Sequence, residues 1–345
     1  MKIFVTGGAG LVGSHVAEFY AREGAQVTVF DNLGRSRMFG SGRASVEHNW
    51  RLLKGMKRVR CVRGDVRSLK SLLAVVPKGV DAVIHAASQP GVRYSLENPL
   101  SDFEINAAGT VNVLEAVRRR SPRAAFIYCS TNKVYGENVG TIPLEELERR
   151  YRFPGSRAVD VTLSTDHTLH TPYGASKLAG DLYVQEYGKT YGLRTGVFRM
   201  SCIYGPRQFG FEDQGWLAHF AFRALKRLPI TVYGDGKQVR DCLYIDDLVK
   251  AYAAFIRGGA SSDVFNIGGG ERFTLSLLEL IAVLEEELKT RSRVVFRAWR
   301  PADQKVYISD LSHVQKALQW KPEVPPREGI RRLLMWAKEH VRLLP

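Results

Sequence analysis

The feature that most constrains this chain stands at its very start. Lys2–Thr6 is a short run of β-favouring residues, Gly7-Gly8-Ala9-Gly10-Leu11-Val12-Gly13 follows at once, and Leu11–Glu23 then carries apolar residues at helical spacing. Gly7, Gly10 and Gly13 spell GxxGxxG. Glycines here permit a tight turn and close backbone approach, so the N-terminus of the following helix can hold a pyrophosphate. A glycine motif alone is a weak signal, but strand, loop and helix come in the required order. Asp31 closes the second strand, near the ~20-residue offset expected of an acid that binds a dinucleotide ribose. A carboxylate there repels a 2′-phosphate and favours NAD over NADP, while Arg35 and Arg37 in the next loop leave NADP open.

An opening of this kind predicts continued alternation of strand and helix, and the first half supplies it. Lys2–Thr6, Gln26–Asp31, Arg58–Arg63, Ala82–Ala86, Ala124–Cys129 and Arg194–Arg199 read as strands, with helical patterns such as Leu11–Glu23 and Ile105–Arg119 between them. That implies a parallel sheet covered by helices on both faces, an α/β doubly wound sheet of Rossmann type. After about residue 203 the alternation stops. Helical patterns at Trp216–Leu228, Leu275–Leu288 and Arg327–Arg342 are separated by Gly/Pro-bearing loops and short strands, which predicts a smaller C-terminal α/β domain. The expected division is a cofactor-binding domain over 1–203, to which 238–257 returns, and a substrate domain over 204–345. A length of 345 residues fits two domains.

Composition excludes several classes. With 45% hydrophobic and 25% charged residues the chain is neither disordered nor collagen-like. No apolar run approaches the ~20 residues of a membrane span, so no membrane partner is expected. MKIFVTGG is already strand and loop, leaving no room for a signal peptide. Four cysteines (Cys61, Cys129, Cys202 and Cys242) lack metal-ligand spacing and argue for a reducing compartment, hence a cytoplasmic location. The net charge of +15 suits anionic partners, from phosphorylated metabolites to nucleic acid. The charges are spread rather than gathered in a tail. Arg118-Arg119-Arg120 falls where a helix should end, a favourable place for cations. Charge alone does not name the partner.

Two further elements carry chemistry. Tyr173-Gly-Ala-Ser-Lys177 sets a tyrosine and a lysine four apart on one helix face. A lysine ammonium and a nicotinamide cation would both favour the phenolate, making Tyr173 a base near neutral pH. Cys129-Ser130-Thr131-Asn132-Lys133-Val134-Tyr135-Gly136 ends the fifth strand, where open α/β sheets place ligands, and Thr131 could hydrogen-bond a sugar oxygen beside Tyr173. His167 and His170 lack a third ligand nearby, and no metal is expected.

Together these elements resemble the extended short-chain dehydrogenase/reductase family, the NAD-dependent nucleotide-sugar epimerases and dehydratases. The resemblance runs nearly the whole length. It includes Asp65-Val66, His85-Ala86-Ala87-Ser88-Gln89, Asn106 with Gly109-Thr110, Tyr204-Gly205-Pro206-Arg207, Tyr233-Gly234-Asp235-Gly236 with Arg240-Asp241, and Arg300-Pro301-Ala302-Asp303. It implies Thr131, Tyr173 and Lys177 as the catalytic set and NAD as a tightly held cofactor. The implied cofactor contacts are Gly7, Gly10, Leu11, Val12, Gly13, Asp31, Asn32, Asp65, Val66, Ala86, Ala87, Ser88, Gln89, Asn106, Ser130, Tyr173, Lys177 and Met200. A nucleotide-diphosphate sugar would be held by Thr131, Asn132, Lys133, Cys202, Arg207, Arg240, Arg300 and Asp303, the arginines suiting its pyrophosphate. The helices around Ser101–Arg119 and Tyr173–Tyr191 pair into a homodimer in the relatives, and a tetramer stays open.

Departures narrow the reading. The 4,6-dehydratases carry Asp-Glu after the catalytic Thr as acid and base for water elimination; here stand Asn132-Lys133, which argues against elimination. The stretch from Gly136 to Tyr173 is longer than in common 4-epimerases, and Cys202 takes the place of their usual Asn. Ser130-Thr-Asn-Lys-Val-Tyr-Gly136, His170-Thr-Pro-Tyr173 and Asp213-Gln-Gly-Trp216 resemble instead the subgroup of CDP-sugar 2-epimerases. The expectation is a reversible redox inversion at a sugar carbon through a transient keto sugar. The rivals are a UDP-sugar 4-epimerase, of UDP-glucose or UDP-glucuronate type, and an inactive NAD-binding scaffold with RNA affinity. The second is disfavoured because Thr131, Tyr173 and Lys177 are all retained, so nucleic acid is not the expected partner.

Overall fold

The computed structural model describes residues 1–39, 43–155, 157–300 and 303–345. Its main sheet has seven parallel strands, numbered here in chain order: β1 (Lys2–Thr6), β2 (Gln26–Asp31), β3 (Val59–Arg63), β4 (Ala82–His85), β5 (Ala125–Thr131), β6 (Arg194–Met200) and β7 (Asp263–Ile267). The spatial order is β7-β6-β5-β4-β1-β2-β3. The order reverses between β1 and β4, which opens the ligand crevice of a doubly wound sheet outside their C-terminal ends. The glycine loop leaves β1 at that crevice and Ala86–Gln89 leaves β4 beside it.

Alternating side chains give the sheet two buried faces. Ile3 and Val5 of β1 with Ala125 and Ile127 of β5 join one core, which also holds Val16 and Ala17 of helix α1 (Leu11–Arg22). Phe4, Phe126 and Tyr128 point the other way, against Val113, Leu114 and Val117 of α2 (Gly109–Arg120) and Val184 and Tyr187 of α3 (Pro172–Tyr191). The helix expected from Ile105 begins instead with a π-helical turn at Glu104–Ala108, which aims Asn106 inward. Such turns gather at functional sites.

Beyond β6 the chain passes Ser201 and enters a second, four-stranded sheet built from Cys202–Tyr204, Val239–Tyr244, Thr274–Ser276 and Val306–Tyr307. Helices α4 (Trp216–Leu225), α6 (Leu277–Leu288) and α7 (Pro326–Glu339) accompany this part, while α5 (Ile245–Arg257) lies against the first sheet, its Phe255 ring 5.9 Å from that of Phe198 on β6. After α5 the chain returns to the first sheet and adds β7 alongside β6, Phe265 opposite Phe198. The long stretch after Gly136 includes a small hairpin, Glu145–Glu146 with Tyr151–Arg152. The stretch bridges both sheets: Ser276 Oγ of the second donates to the Arg149 carbonyl at 2.8 Å, and the Val159 carbonyl accepts from Asn266 Nδ2 of the first at 2.7 Å.

Candidate active site

A cavity of about 390 Å³ runs along the crevice and collects most of the residues singled out from the sequence. Its lining includes Gly7, Gly10, Leu11, Val12, Gly13, Asp31, Asn32, Asp65, Val66, Ala86, Ala87 and Ser88 on one side. Ser130, Thr131, Asn132, Lys133, Tyr173, Lys177, Met200, Cys202 and Arg240 continue it.

The glycine loop has the form a dinucleotide requires. Gly7 has φ +69°, and a Cβ there would lie 2.5 Å from the Ala87 nitrogen; one on Gly13 would lie 2.3 Å from the Gly7 oxygen. Side chains are therefore excluded by backbone alone. Gly10 caps α1 without any side-chain acceptor, so the first N–H groups of the helix are left for a ligand that lies on the loop. Asp31 accepts from the Ala9 and Leu33 amides at 2.9 and 2.7 Å, and burial pushes its carboxyl above the usual range. Asp65 accepts from Asn32 Nδ2 at 2.9 Å and is held down at about 2, where hydrogen bonds from Arg67 outweigh its desolvation. Gln89 and Asn106 lie behind the cavity wall. Asn106 Oδ1 accepts from the Gln89 amide at 2.9 Å and from Ser88 Oγ at 3.0 Å, while its Nδ2 reaches Ser176 Oγ at 3.1 Å. This ties the loop after β4 to the helix that bears Tyr173.

At the reacting end, Thr171 caps α3 by accepting from the Gly174 amide, and Tyr173 and Lys177 then share one helix face. Burial pushes the Tyr173 hydroxyl up to about 12, against the lowering influence of the neighbouring Thr131. Lys177 Nζ donates to the Cys129 carbonyl at 2.7 Å and stands 4.1 Å from the centroid of the Tyr128 ring. Burial lowers the amine to about 8. In the chain alone desolvation opposes the Tyr173 phenolate more strongly than its neighbours favour it, so the base role expected of Tyr173 rests on the nicotinamide cation as well as on Lys177.

Beneath these groups lies an ion pair that the sequence reading missed. Arg199 Nε meets Asp181 Oδ2 at 3.0 Å, both side chains buried, and Asp181 also accepts from Ser130 Oγ at 2.7 Å and Gln185 Nε2 at 2.6 Å. Arg199 Nη1 reaches Tyr135 Oη, which donates to Asn266 Oδ1 of β7 at 2.7 Å. The available signal was spacing: Asp181 follows Lys177 by four, the interval that had already paired Tyr173 with Lys177.

The residues expected at the sugar nucleotide separate into groups. Arg240 Nη2 pairs with Asp303 Oδ1 at 2.7 Å beside Lys133, whose amine burial and Arg240 lower to about 8. Asn132 Nδ2 reaches Gln304 Oε1 at 3.4 Å. Cys202 lies opposite Cys242 on the neighbouring strand. Arg300 lies outside the cavity lining, held by Asp213 at 3.2 Å and the Glu212 carbonyl at 3.1 Å; Pro301 and Ala302 of the same stretch fall outside the described residues. Arg207, at φ +62°, turns away to pair with Glu18 of α1 at 2.6 Å. Arg35, read as open to a 2′-phosphate, donates to the Phe209 carbonyl at 2.9 Å and to Gln214 Oε1 at 2.7 Å. His170 Nε2 lies 2.8 Å from the Val134 carbonyl. Among the described residues no cluster suits a metal, and no helix is long and apolar enough to cross a membrane.

A dinucleotide groove at the switch point, joined to a Thr-Tyr-Lys constellation at the ends of β5 and α3, defines a short-chain dehydrogenase/reductase-type site. The comparisons with known proteins agree. Residues 3–268 match the model of the NAD dependent epimerase/dehydratase family, and the chain belongs to that family, with NAD as cofactor. It is 37% identical over 97% of its length to CDP-paratose 2-epimerase of Salmonella typhi, covering 99% of that protein. It is 31% identical over 99% of its length to UDP-glucuronate 4-epimerase of Thermodesulfobacterium geofontis, covering 97% of that protein. Among solved structures, UDP-glucuronic acid 4-epimerase of Bacillus cereus, in complex with UDP-glucuronic acid and NAD, superposes with a TM-score of 0.80 at 29% identity. That match covers 99% of this chain and 100% of the other.

Proposed function

We propose that the protein is a nucleotide-sugar epimerase that inverts C2 of a CDP-linked sugar, as CDP-paratose 2-epimerase does by its name. The carrying observation is the site itself: Thr131, Tyr173 and Lys177 converge on the dinucleotide groove, and Asn132-Lys133 stands where elimination would need an acid and a base. NAD supplies a reversible hydride acceptor and, when oxidised, a positive ring charge that favours the Tyr173 phenolate. Tyr173 takes the proton of the sugar hydroxyl as that carbon becomes a ketone, and Thr131 hydrogen-bonds the same oxygen. Lys177, held at the Cys129 carbonyl, supplies positive charge beneath the phenolate. Lys133 and Arg240 hold the remainder of the sugar nucleotide while the keto sugar turns over, so that binding energy from the remote nucleotide retains the intermediate. Tyr173 then returns the proton to the oxygen of the inverted carbon.

A panel of CDP- and UDP-sugars, followed by NMR, tests this reading. Inversion at C2 of CDP-paratose without solvent deuterium in the product is expected. Inversion at C4 of UDP-glucose or UDP-glucuronate would establish the 4-epimerase reading that the 31% identical relative favours. Unchanged sugars throughout would refute both.

The same reading includes a homodimer through α2 and α3. Leu100 and Phe103 of the helix Pro99–Phe103, which packs against α3, and Leu182 and Tyr183 of α3 itself are exposed, with Leu100 78% accessible. Light scattering should give twice the chain mass for the wild type and one chain mass for Leu182→Glu; a monomeric wild type removes the proposal. Four free cysteines suit a reducing compartment, and on that ground we place the protein in the cytoplasm.

A further inference from the structure

The cavity has a second long wall that no motif accounts for. Gln208, Gln214, Gly215 and Trp216 line it, facing the glycine loop across the crevice. The segment is a tight loop. Phe211 and Gln214 exchange both backbone hydrogen bonds at 3.0 Å, and Gly215, at φ +78°, leads into α4. It is fastened to the cofactor-binding part at two places: Arg207 pairs with Glu18 on α1, and Arg35 donates to Phe209 and Gln214.

Arg35 is the more telling of the two. It opens the short helix Arg35–Phe39 that follows Asp31 and Asn32, and it lines the cavity itself. Its guanidinium lies 5.6 Å from the centroid of the Phe211 ring, so one side chain meets three residues of the 208–216 loop, Phe209, Phe211 and the wall residue Gln214. Hydrogen bonds from a charged donor are stronger than neutral ones, and more so where water is excluded. The other edge of the same loop holds Arg300 through Glu212 and Asp213.

We infer that Arg35 is a positioning residue that clasps the 208–216 loop over the dinucleotide groove and so retains NAD between catalytic cycles. A dinucleotide laid on the glycine loop lies between the two walls, and it departs only when they part. Parting them breaks both Arg35 hydrogen bonds. Retention matters chemically, because a redox inversion must give back what it takes within one turnover. The inference rests on the NAD groove and on the redox reading of the site, not on which sugar is inverted.

The test reads release rather than turnover. Holoenzyme is diluted into nucleotide-free buffer, and the NAD still bound is assayed over time by gel filtration and denaturation. Arg35→Ala is expected to release NAD about tenfold faster, the scale of one charged hydrogen bond. Gln214→Ala should speed release by a smaller factor, and the double variant should match Arg35→Ala alone. Arg35→Lys, which keeps the charge and one donor contact, should restore part of the retention. Release by Arg35→Ala at the wild-type rate overturns the clasp. So does acceleration by Arg35→Ala with Gln214→Ala unchanged, which would mean that Arg35 contacts the nucleotide directly. If Arg35→Ala does not fold, Gln214→Ala alone decides between a raised and an unchanged rate. An enzyme that inverts no sugar yet shows this pattern would sink the functional reading and leave the clasp standing.

Discussion

Lys177 gives the most direct quantitative handle on the site. Its ordinary value of 10.5 is lowered by burial to about 8. Between those two values the unfolded chain holds more protons than the folded one, so stability rises as pH increases through that window. Below about pH 8 both states carry the proton and the full cost of burying the ammonium is felt. Integrated between pH 7 and 9.5, the gain from this one group is about 2 kcal/mol. Lys177→Met removes the titration and leaves every other group in place, Lys133 included, so the difference between the two proteins isolates it. Urea denaturation at the two pH values is the assay. Wild type should gain about 2 kcal/mol more than Lys177→Met on going from pH 7 to 9.5. Parallel changes in the two proteins would refute the reasoning, since an amine that titrates alike in both states cannot be strained by its surroundings. The variant should also lose turnover, which would mark Lys177 as a residue kept for chemistry at a cost to the fold.

Tyr173→Phe should lower kcat by roughly 10²–10⁴ while bound NAD is retained, as read by parallel kinetics and nucleotide release on denaturation. Gly13→Ala should purify without NAD or fail to fold, because its Cβ would lie 2.3 Å from the Gly7 oxygen; absorbance at 260 nm of the purified protein reports this. Asp181→Asn strands the buried Arg199 guanidinium at about 3–5 kcal/mol, lowering Tm by roughly 4–7 °C in a chain of this length. Replacing both partners, Asp181→Leu with Arg199→Met, should recover much of that loss in the same melting experiment.

The sheet was largely legible in the sequence because its central strands are buried on both faces and rich in apolar, β-favouring residues, while the edge strand β3, less buried, still carries Val59 and Val62. β1 and β2 begin and end at the expected residues, and β3 to β6 differ by a residue or two at their ends. β7 was not foreseen: Asp263 and Asn266 interrupt its apolar pattern, and Asn266 is buried only because Val159 and Tyr135 satisfy its amide. The glycine loop and the Tyr173–Lys177 pair were legible for a local reason, since both depend on spacing within one turn or one helix. Arg207, Arg300 and Arg35 depend on partners far along the chain, which no spacing reveals. The value of Tyr173 was illegible for the same cause: its burial belongs to the assembled site.

The placement of β7 bears on how the chain is made. β6 is completed by residue 200, yet its outer edge is covered only by residues 263–267, after α5 has formed. A growing chain therefore carries an uncovered, apolar strand edge for the time needed to add some sixty residues. Fragments ending near 203 would keep that edge permanently and invite pairing with one another. The sheet that holds the cofactor cannot be finished until the first stretch of the substrate side, Cys202 to Tyr244 with its share of the crevice wall, has been synthesised, so the two halves of the crevice come into being together.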